Sequence, residues 1–502
     1  MSTNPDNPSI AKQRCINPDC AAEYPIDRVL VACETCGEML DVVYDWDRAW
    51  PEAERSFKLF ERRGASFGPR NPAGAGAGAG AGEGDGENGG GASGGGATES
   101  MLDFSGVWRF RELLPFWKHA THGMADIVTV GEGRTNLQRA DRLADQIGMD
   151  TASGGRVYLQ YEGFNPSGSF KDNGMTAAFT HARMVGATRV ACASTGNTSA
   201  SLAMYAAMTG MRALVFIGEG KIAMGKLSQA LDYGAQTLQI AGDFDDCLKR
   251  VRQIVTERPE LGVYLMNSVN PFRLEGQKTI MLRILEGLDW QVPDWIVVPG
   301  GNLGNCSAFA KCFKELRLLG LIEKVPRLAV INAKGARTLD RIVNDLKITW
   351  NGGRYDRGAV ADEFARMDAA GERASTVASA IEINRPVNLP KALRALAIMD
   401  GVVRVVNDDQ IREHKAMVGR FGFGCEPASG ASVAGTRLLI EEGVISPDET
   451  VACVLTGHQL KDPDVTVGYH AGQGEKASGG SLSNAPVRVA NELEAIIAAM
   501  GV

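Results

Sequence analysis

The sequence predicts an α/β protein built on parallel sheet with helices packed on both faces. Three observations carry this. Short runs rich in β-branched and aromatic residues recur along the chain, at Val157–Tyr161, Arg189–Ala193, Ala213–Ile217, Thr237–Ile240, Trp295–Val298, Leu328–Ile331 and Val451–Leu455. Runs with helical periodicity separate most of them, and strands that alternate with helices build parallel sheets. The chain of 502 residues is 44% hydrophobic and 23% charged, ordinary for a globular protein and long enough for two or more domains. In such sheets ligands bind beyond the carboxyl ends of the strands, so the loops that follow each strand are where chemistry is expected.

Taken in order, the chain opens with Cys15, Cys20, Cys33 and Cys36. Two cysteine pairs, the second a Cys-x-x-Cys knuckle followed by Gly37, fit a four-thiolate zinc ribbon. Four thiolates leave no open coordination position, so the ion's role there is structural. A segment this small buries little core, and the metal supplies its stability. Residues 1–50 are assigned to this module. Asp45 to Arg63 reads as charged helix. Between Ala73 and Gly96 the composition collapses to Gly and Ala, which cannot offset ordering entropy by burial and reads as a flexible linker, giving a connecting segment over 51–105. Residues 106–480 form the main α/β region, with a smaller subdomain over roughly 175–275, and 481–502 reads as a C-terminal helix.

Composition excludes several classes. A net charge of -7 and a pI of about 5.6 argue against a nucleic-acid partner. No apolar run is long enough to span a bilayer, and no basic start leads into an apolar stretch. Six of the ten cysteines stand singly inside apolar segments. That is the usage of a reduced protein, and the expected location is the cytoplasm.

Four loops then converge on one ligand. After Val157–Tyr161 comes Asn165-Pro-Ser-Gly-Ser-Phe-Lys-Asp-Asn173, which places Lys171 at the first turn of a helix. The helix dipole disfavours a cation there, and a lysine with a lowered pKa is a nucleophile able to form a Schiff base. After Arg189–Ala193 comes Ser194-Thr-Gly-Asn-Thr-Ser-Ala-Ser201, a carboxylate cradle at a helix N-terminus. After Trp295–Val298 comes Pro299-Gly-Gly-Asn-Leu-Gly-Asn305, whose backbone N–H groups suit a phosphate. It is no Walker loop, and no acid ends the next strand, so hydride transfer is disfavoured. After Val451–Leu455 comes Thr456-Gly-His-Gln-Leu-Lys-Asp-Pro463, with a hydroxyl able to meet a heteroaromatic nitrogen. An amine, a phosphate cradle, a carboxylate cradle and a neutral ring partner match pyridoxal 5'-phosphate carrying an amino acid. A neutral Thr456 is expected to leave the ring nitrogen largely unprotonated.

In that order these loops resemble threonine synthase, a family of pyridoxal-phosphate enzymes of the tryptophan-synthase-β fold type. The resemblance runs from about Gly106 to Asp462, and some members carry a similar cysteine module. It implies two open α/β domains with the cofactor between them, and a homodimer. It implies Lys171 as the catalytic residue holding the cofactor covalently, Asn197 at its 3-hydroxyl, Gly301, Asn302, Leu303, Gly304 and Asn305 at its phosphate, and Thr456 at its ring nitrogen. Ser194, Thr195 and Thr198 would hold the substrate. Asn267-Ser-Val-Asn-Pro-Phe-Arg273 groups Asn267, Ser268 and Arg273, neutral donors and a planar fork suited to a second phosphate, and these match the family's positions for O-phospho-L-homoserine. Lys226 is a weaker candidate for the same anion. Arg134 and Asn136 depart from the Asn and Pro usual in the family. The implied reaction makes threonine from O-phospho-L-homoserine and water. The alternatives are a related β-eliminating or β-replacing enzyme, such as a threonine or serine dehydratase or a cysteate-synthase-like enzyme, and a zinc-ribbon binding protein whose catalytic part is inactive.

Overall fold

The computed structural model describes residues 9–65, 101–218, 224–241, 244–472 and 479–500. The Gly/Ala-rich stretch expected to be a linker lies outside these residues, as does the side chain of Lys226.

Two parallel sheets form the body. The larger contains β4 (Asn136–Arg139), β5 (Arg156–Tyr161), β10 (Trp295–Pro299), β11 (Arg327–Ala333), β12 (Val402–Val406) and β13 (Thr450–Leu455), in the order β12-β11-β10-β13-β5-β4. All its pairings are parallel except that of β4 with β5. The smaller contains β6 (Arg189–Ala193), β7 (Arg212–Gly218), β8 (Gln236–Ile240) and β9 (Val263–Leu265), all parallel in the order β8-β7-β6-β9.

Both sheets are covered on two faces, and the residue alternation shows it. Along β10, Ile296 and Val298 join one core cluster while Trp295 and Val297 join another. Along β6, Val190 and Cys192 face one core, and Ala191 and Ala193 the other. Strands buried on both faces read as continuous apolar runs, and for that reason they stand out in the sequence. The strand ends agree with the expected ones to within two residues. The expectation passed over β4, β9 and β12. β4 is a polar edge strand and β9 has three residues, both too weak to register as periodic segments.

The N-terminal cysteines sit on a three-stranded antiparallel sheet of β1 (Ala11–Cys15), β2 (Glu23–Pro25) and β3 (Leu40–Tyr44), in the order β2-β1-β3. It docks on the body through buried charge. Lys391 Nζ donates to the carbonyl of Leu40 at 2.7 Å and pairs with Asp41 at 3.0 Å, and Arg394 reaches Asp41 at 2.6 Å.

Two helical expectations need correction. The segment Asp45 to Arg63 is not one helix but a turn over Trp46–Ala49, a 3-10 turn over Glu52–Glu54 and a helix over Lys58–Ala65. Pro51 forces Trp50 out of the helical region, to φ -151° and ψ 92°. At the other end, helix begins only at Leu493 rather than at 481; the Gly- and Ser-rich stretch before it, with Pro486, cannot sustain helical bonding.

Candidate active site

Strand order assembles the site. β10, β13 and β5 are adjacent, so the loops at their carboxyl ends, at 300–305, 456–463 and 162–170, lie side by side. β6 and β9 are likewise adjacent, which pairs the Ser194 loop with the Asn267 loop. The Lys171–Met184 helix carries the chain from the large sheet to the small one.

Lys171 is the first residue of that helix. The preceding turn is locked to the Thr456 loop, since Phe170 N–H donates to Thr456 O and His458 N–H to Gly168 O, each at 2.9 Å. Asp172 closes the turn from within, accepting from Ser167 N–H at 2.7 Å and from the hydroxyls of Ser167 and Ser201. Burial raises Asp172 to about 6 against those bonds. The ammonium of Lys171 lies 4.0 Å from the Phe170 ring centroid and, among the described residues, makes no hydrogen bond or ion pair. Burial, and then the neighbouring Arg273 guanidinium, lower its pKa to about 7 against the pull of Glu426. An amine in that range is neutral in a large fraction of molecules near pH 7, as a nucleophile or base must be.

Asn197 begins the helix Asn197–Thr209, whose preceding Gly196 supplies no side-chain cap. Ser194, Thr195 and Thr198 are half-buried around that N-terminus. Ser194 Oγ accepts from Gly196 N–H at 3.1 Å. The Gly304–Leu318 helix likewise starts without a side-chain cap. Leu303 precedes it in the left-handed region at φ 63°, a strained conformation for a bulky side chain. Gly300 has no room for a larger residue, since a Cβ there would meet Asn332 Nδ2 at 2.6 Å.

Arg273 is 1% exposed. Its Nη1 donates to the Met266 carbonyl at 2.7 Å, whereas Nε and Nη2 are buried without partners. Burial lowers its pKa to about 10. A buried guanidinium with two unused donors suits an anion, since each unmet donor costs about 1–3 kcal/mol. Ser268, half-buried, borders the glycine loop, with 3.5 Å between its Cβ and a Cβ placed at Gly304. Asn267 behaves differently: its amide is engaged with the Ala193 backbone.

Three further side chains complete the site. Glu426 accepts from Asn197 and Thr456. Asn388 Nδ2 donates to the carbonyls of Ser268 and Asn302, at 3.2 Å each, and ties the two phosphate-suited loops together. Gln277 Oε1, buried without a partner, would meet a Cβ at Gly304 at 3.2 Å. No strand-to-helix loop signature points to these three. Arg134 lies over the Phe104 ring, 4.4 Å from its centroid, and Asn136 opens the exposed edge strand β4.

Two uncapped helix N-termini, an unpaired amine, an unpaired guanidinium and a Gly-lined turn fit a ligand that has a phosphate, an aldehyde and a carboxylate-bearing adduct. The donor set thus suits pyridoxal phosphate, and the family model "Pyridoxal-phosphate dependent enzyme" matches residues 128–457. The fold agrees: a fungal L-serine ammonia-lyase from Rhizomucor miehei superposes with a TM-score of 0.50 at 18% identity, over 64% of this chain and 93% of that one. O-ureido-L-serine synthase does so with a TM-score of 0.50 at 17% identity, over 65% and 90%. Among curated sequences, threonine synthase of Methanocaldococcus jannaschii is 38% identical over 91% of this chain and 94% of its own length. That of Methanosarcina acetivorans is 38% identical over 90% and 93%, and that of Synechocystis sp. 40% over 72% and 86%. The chain belongs to the threonine synthase family of pyridoxal-phosphate-dependent enzymes.

Apart from this site, the Sγ atoms of Cys15, Cys20, Cys33 and Cys36 all lie within 4.8 Å of one another, with Cys15 and Cys36 at 3.5 Å and Cys20 and Cys33 at 3.7 Å. These separations exceed any disulfide and match the edge of a tetrahedron of Zn–S bonds, about 3.8 Å. The cluster can therefore hold a structural metal. The six remaining cysteines are buried free thiols. Among the described residues no helix is long and apolar enough to cross a membrane.

Proposed function

We infer that this enzyme converts O-phospho-L-homoserine and water to L-threonine and inorganic phosphate. The observation that carries the substrate assignment is Arg273. The loop 301–305 suits the cofactor phosphate, and Arg273 offers a second, separate place for a dianion next to Lys171.

The cofactor, when bound, forms a reversible covalent link to amines and takes up the electron pair left by an α-proton. Lys171 would hold it, with Asn197 toward its 3-hydroxyl and Thr456 toward its ring nitrogen. Released from that link, the Lys171 amine removes the substrate α-proton and later returns one. Arg273 and Ser268 bind the substrate phosphate, and Ser194, Thr195 and Thr198 receive its carboxylate at the helix N-terminus. Arg273 also stabilises the phosphate as it leaves the γ-carbon. In balance, the γ-carbon loses phosphate and takes up a proton, the β-carbon loses a proton and takes the hydroxyl of water, and the remaining proton of water leaves with the phosphate. Lys311, Lys278 and the ribbon stand outside this chemistry. The Cys15, Cys20, Cys33 and Cys36 cluster holds zinc in a structural role. The active form is a cytoplasmic homodimer, with the module limits at about 50, 105 and 480.

Purified protein supplied with O-phospho-L-homoserine should release phosphate and threonine in equal amounts, and O-phosphoserine should not substitute. Lys171→Ala should lose both turnover and the visible absorbance of the bound cofactor. Phosphate release from O-phosphoserine in preference to the homoserine ester would overturn the assignment.

A further inference from the structure

Glu426 is 3% exposed and occupies the position before Pro427, at the start of the Pro427–Glu441 helix. One carboxylate oxygen accepts from Asn197 Nδ2 at 2.8 Å, the other from Thr456 Oγ1 at 2.7 Å. Its approach is close enough that a Cβ at Gly457 would lie 2.8 Å from its carboxyl carbon. Among the described residues it forms no ion pair, although the charges of Lys171 and Lys461 are felt there. A buried carboxylate of this kind, bridging two side chains that face the cofactor, has a use beyond packing.

The polarity of the bridge decides what Thr456 can do. Both carboxylate oxygens are engaged as acceptors, one from the Asn197 N–H and one from the Thr456 hydroxyl, so the single hydroxyl proton of Thr456 is committed to Glu426. Ser429 completes the geometry. Its Oγ accepts from Thr456 N–H at 2.8 Å and lies 3.1 Å from Thr456 Oγ1, to which its own proton can be donated. Thr456 then has only a lone pair to present to a third group. From residue type alone, a threonine beside a heteroaromatic nitrogen is read as a donor that leaves the nitrogen bare. The bridge reverses that reading.

We propose that Glu426 is a positioning residue that fixes Thr456 as a hydrogen-bond acceptor toward the cofactor, so that Thr456 holds a proton on the ring nitrogen. The proposal rests on the placement of Thr456 at that nitrogen given above. Its consequence is a stronger electron sink at the substrate α-carbon, where charge must be stored while phosphate leaves two carbons away. Asn197, drawn to the same carboxylate, keeps its second N–H and its carbonyl oxygen for the 3-hydroxyl.

The test uses the holoenzyme reconstituted with pyridoxal phosphate carrying nitrogen-15 in the ring, read by NMR. The wild-type ring nitrogen should resonate in the pyridinium range. Glu426→Gln presents an N–H to Thr456 Oγ1, turns the threonine proton toward the ring, and should move the signal into the pyridine range with cofactor still bound. Thr456→Val removes the acceptor and should move it the same way, so the proposal stays testable if Glu426→Gln does not fold. A pyridine-range signal in wild-type enzyme that makes threonine overturns this proposal alone, as does a Glu426→Gln holoenzyme with an unmoved signal. Wild-type protein that takes up no cofactor overturns the functional reading and this proposal together.

Discussion

The side-chain amide of Asn267 makes two hydrogen bonds to Ala193, accepting from its N–H at 2.9 Å and donating to its carbonyl at 3.0 Å. It thereby extends the β9–β6 ladder past Leu265 with a side chain in place of backbone. The frame that results holds the Ser194 loop beside the Ser268 loop. One N–H and one lone pair are left for a ligand, so Asn267 contributes to the site first as scaffold. Asn267→Ala should lower stability by about 1–3 kcal/mol, because two buried backbone groups lose their partner. Urea unfolding of cofactor-free protein reads this directly. Unchanged stability with a raised KM would instead make Asn267 purely a ligand-binding group.

Arg273 should trade stability for binding. An uncompensated buried cation is costly, and removing it relieves that cost. Arg273→Met, similar in length and uncharged, should therefore melt higher than wild type in anion-free buffer. Added inorganic phosphate should raise the melting temperature of wild type and leave the variant unmoved; at a hundredfold excess over its Kd the gain is about 2.7 kcal/mol. The same variant should bind the phosphorylated substrate poorly. A variant that melts lower than wild type without phosphate would show that Arg273 is paired in solution.

The lowered pKa of Lys171 has a sign that can be checked. The neutral amine reacts with an aldehyde, and below a pKa of about 7 it becomes scarce. Cofactor uptake by apoprotein should rise about tenfold per pH unit up to near pH 7 and level off by about pH 8, whereas an ordinary lysine would keep gaining to about pH 10. Arg273→Met removes a repelling charge and should move the midpoint up. Glu426→Gln removes an attracting one and should move it down. Stopped-flow absorbance across that pH range separates the three curves.

Much of this site is legible in the sequence because its residues lie on loops that immediately follow apolar strands. Asn197, Gly301 and Thr456 come within four residues of the end of an apolar strand, and Lys171 begins the helix that the loop after another leads into; such strands are the most visible elements of a parallel sheet. Strand order is not legible, and it is strand order that sets β10, β13 and β5 side by side. Glu426 follows no strand, and its partner Asn197 lies 229 residues away, a separation that no local period encodes. Asn388 sits in an Asn-Arg-Pro-Val-Asn stretch that reads as plain turn, and its bonds to Ser268 and Asn302 become visible only in three dimensions. The Asn267 amide is the converse case, since a residue type suited to a ligand is here satisfied by backbone.

The cysteine ribbon should be coupled to the short Pro271–Gln277 helix that carries Arg273. Tyr44, at the end of β3, donates to Glu275 Oε2 at 2.8 Å, and Lys311 bridges Glu275 and the carbonyl of Val42. Lys278 pairs with Glu275 and Glu315 at 2.7 Å each, both contacts buried. Glu275 and Arg273 share the short Pro271–Gln277 helix. On a second side, the carbonyl of Ile26 lies 2.6 Å from Nε2 of His181, whose ring stacks on Phe272 at 3.5 Å and which belongs to the helix that Lys171 begins. Loss of the ribbon thus strips partners from buried charges, a change that costs about 3–5 kcal/mol when one member of such a pair is removed. Chelation of a metal bound at the four cysteines, or Cys33→Ser with Cys36→Ser, should speed amide exchange in residues 271–277 and raise the KM for the phosphorylated substrate. Tyr44→Phe, which leaves the cysteines intact, should do the same more mildly, at about 1.5–3 kcal/mol for a hydrogen bond to a charged group. Hydrogen exchange read by mass spectrometry distinguishes the cases. Protection at 271–277 that survives chelation would mean that the ribbon is only a neighbour, and that the Glu275 network holds the helix without it.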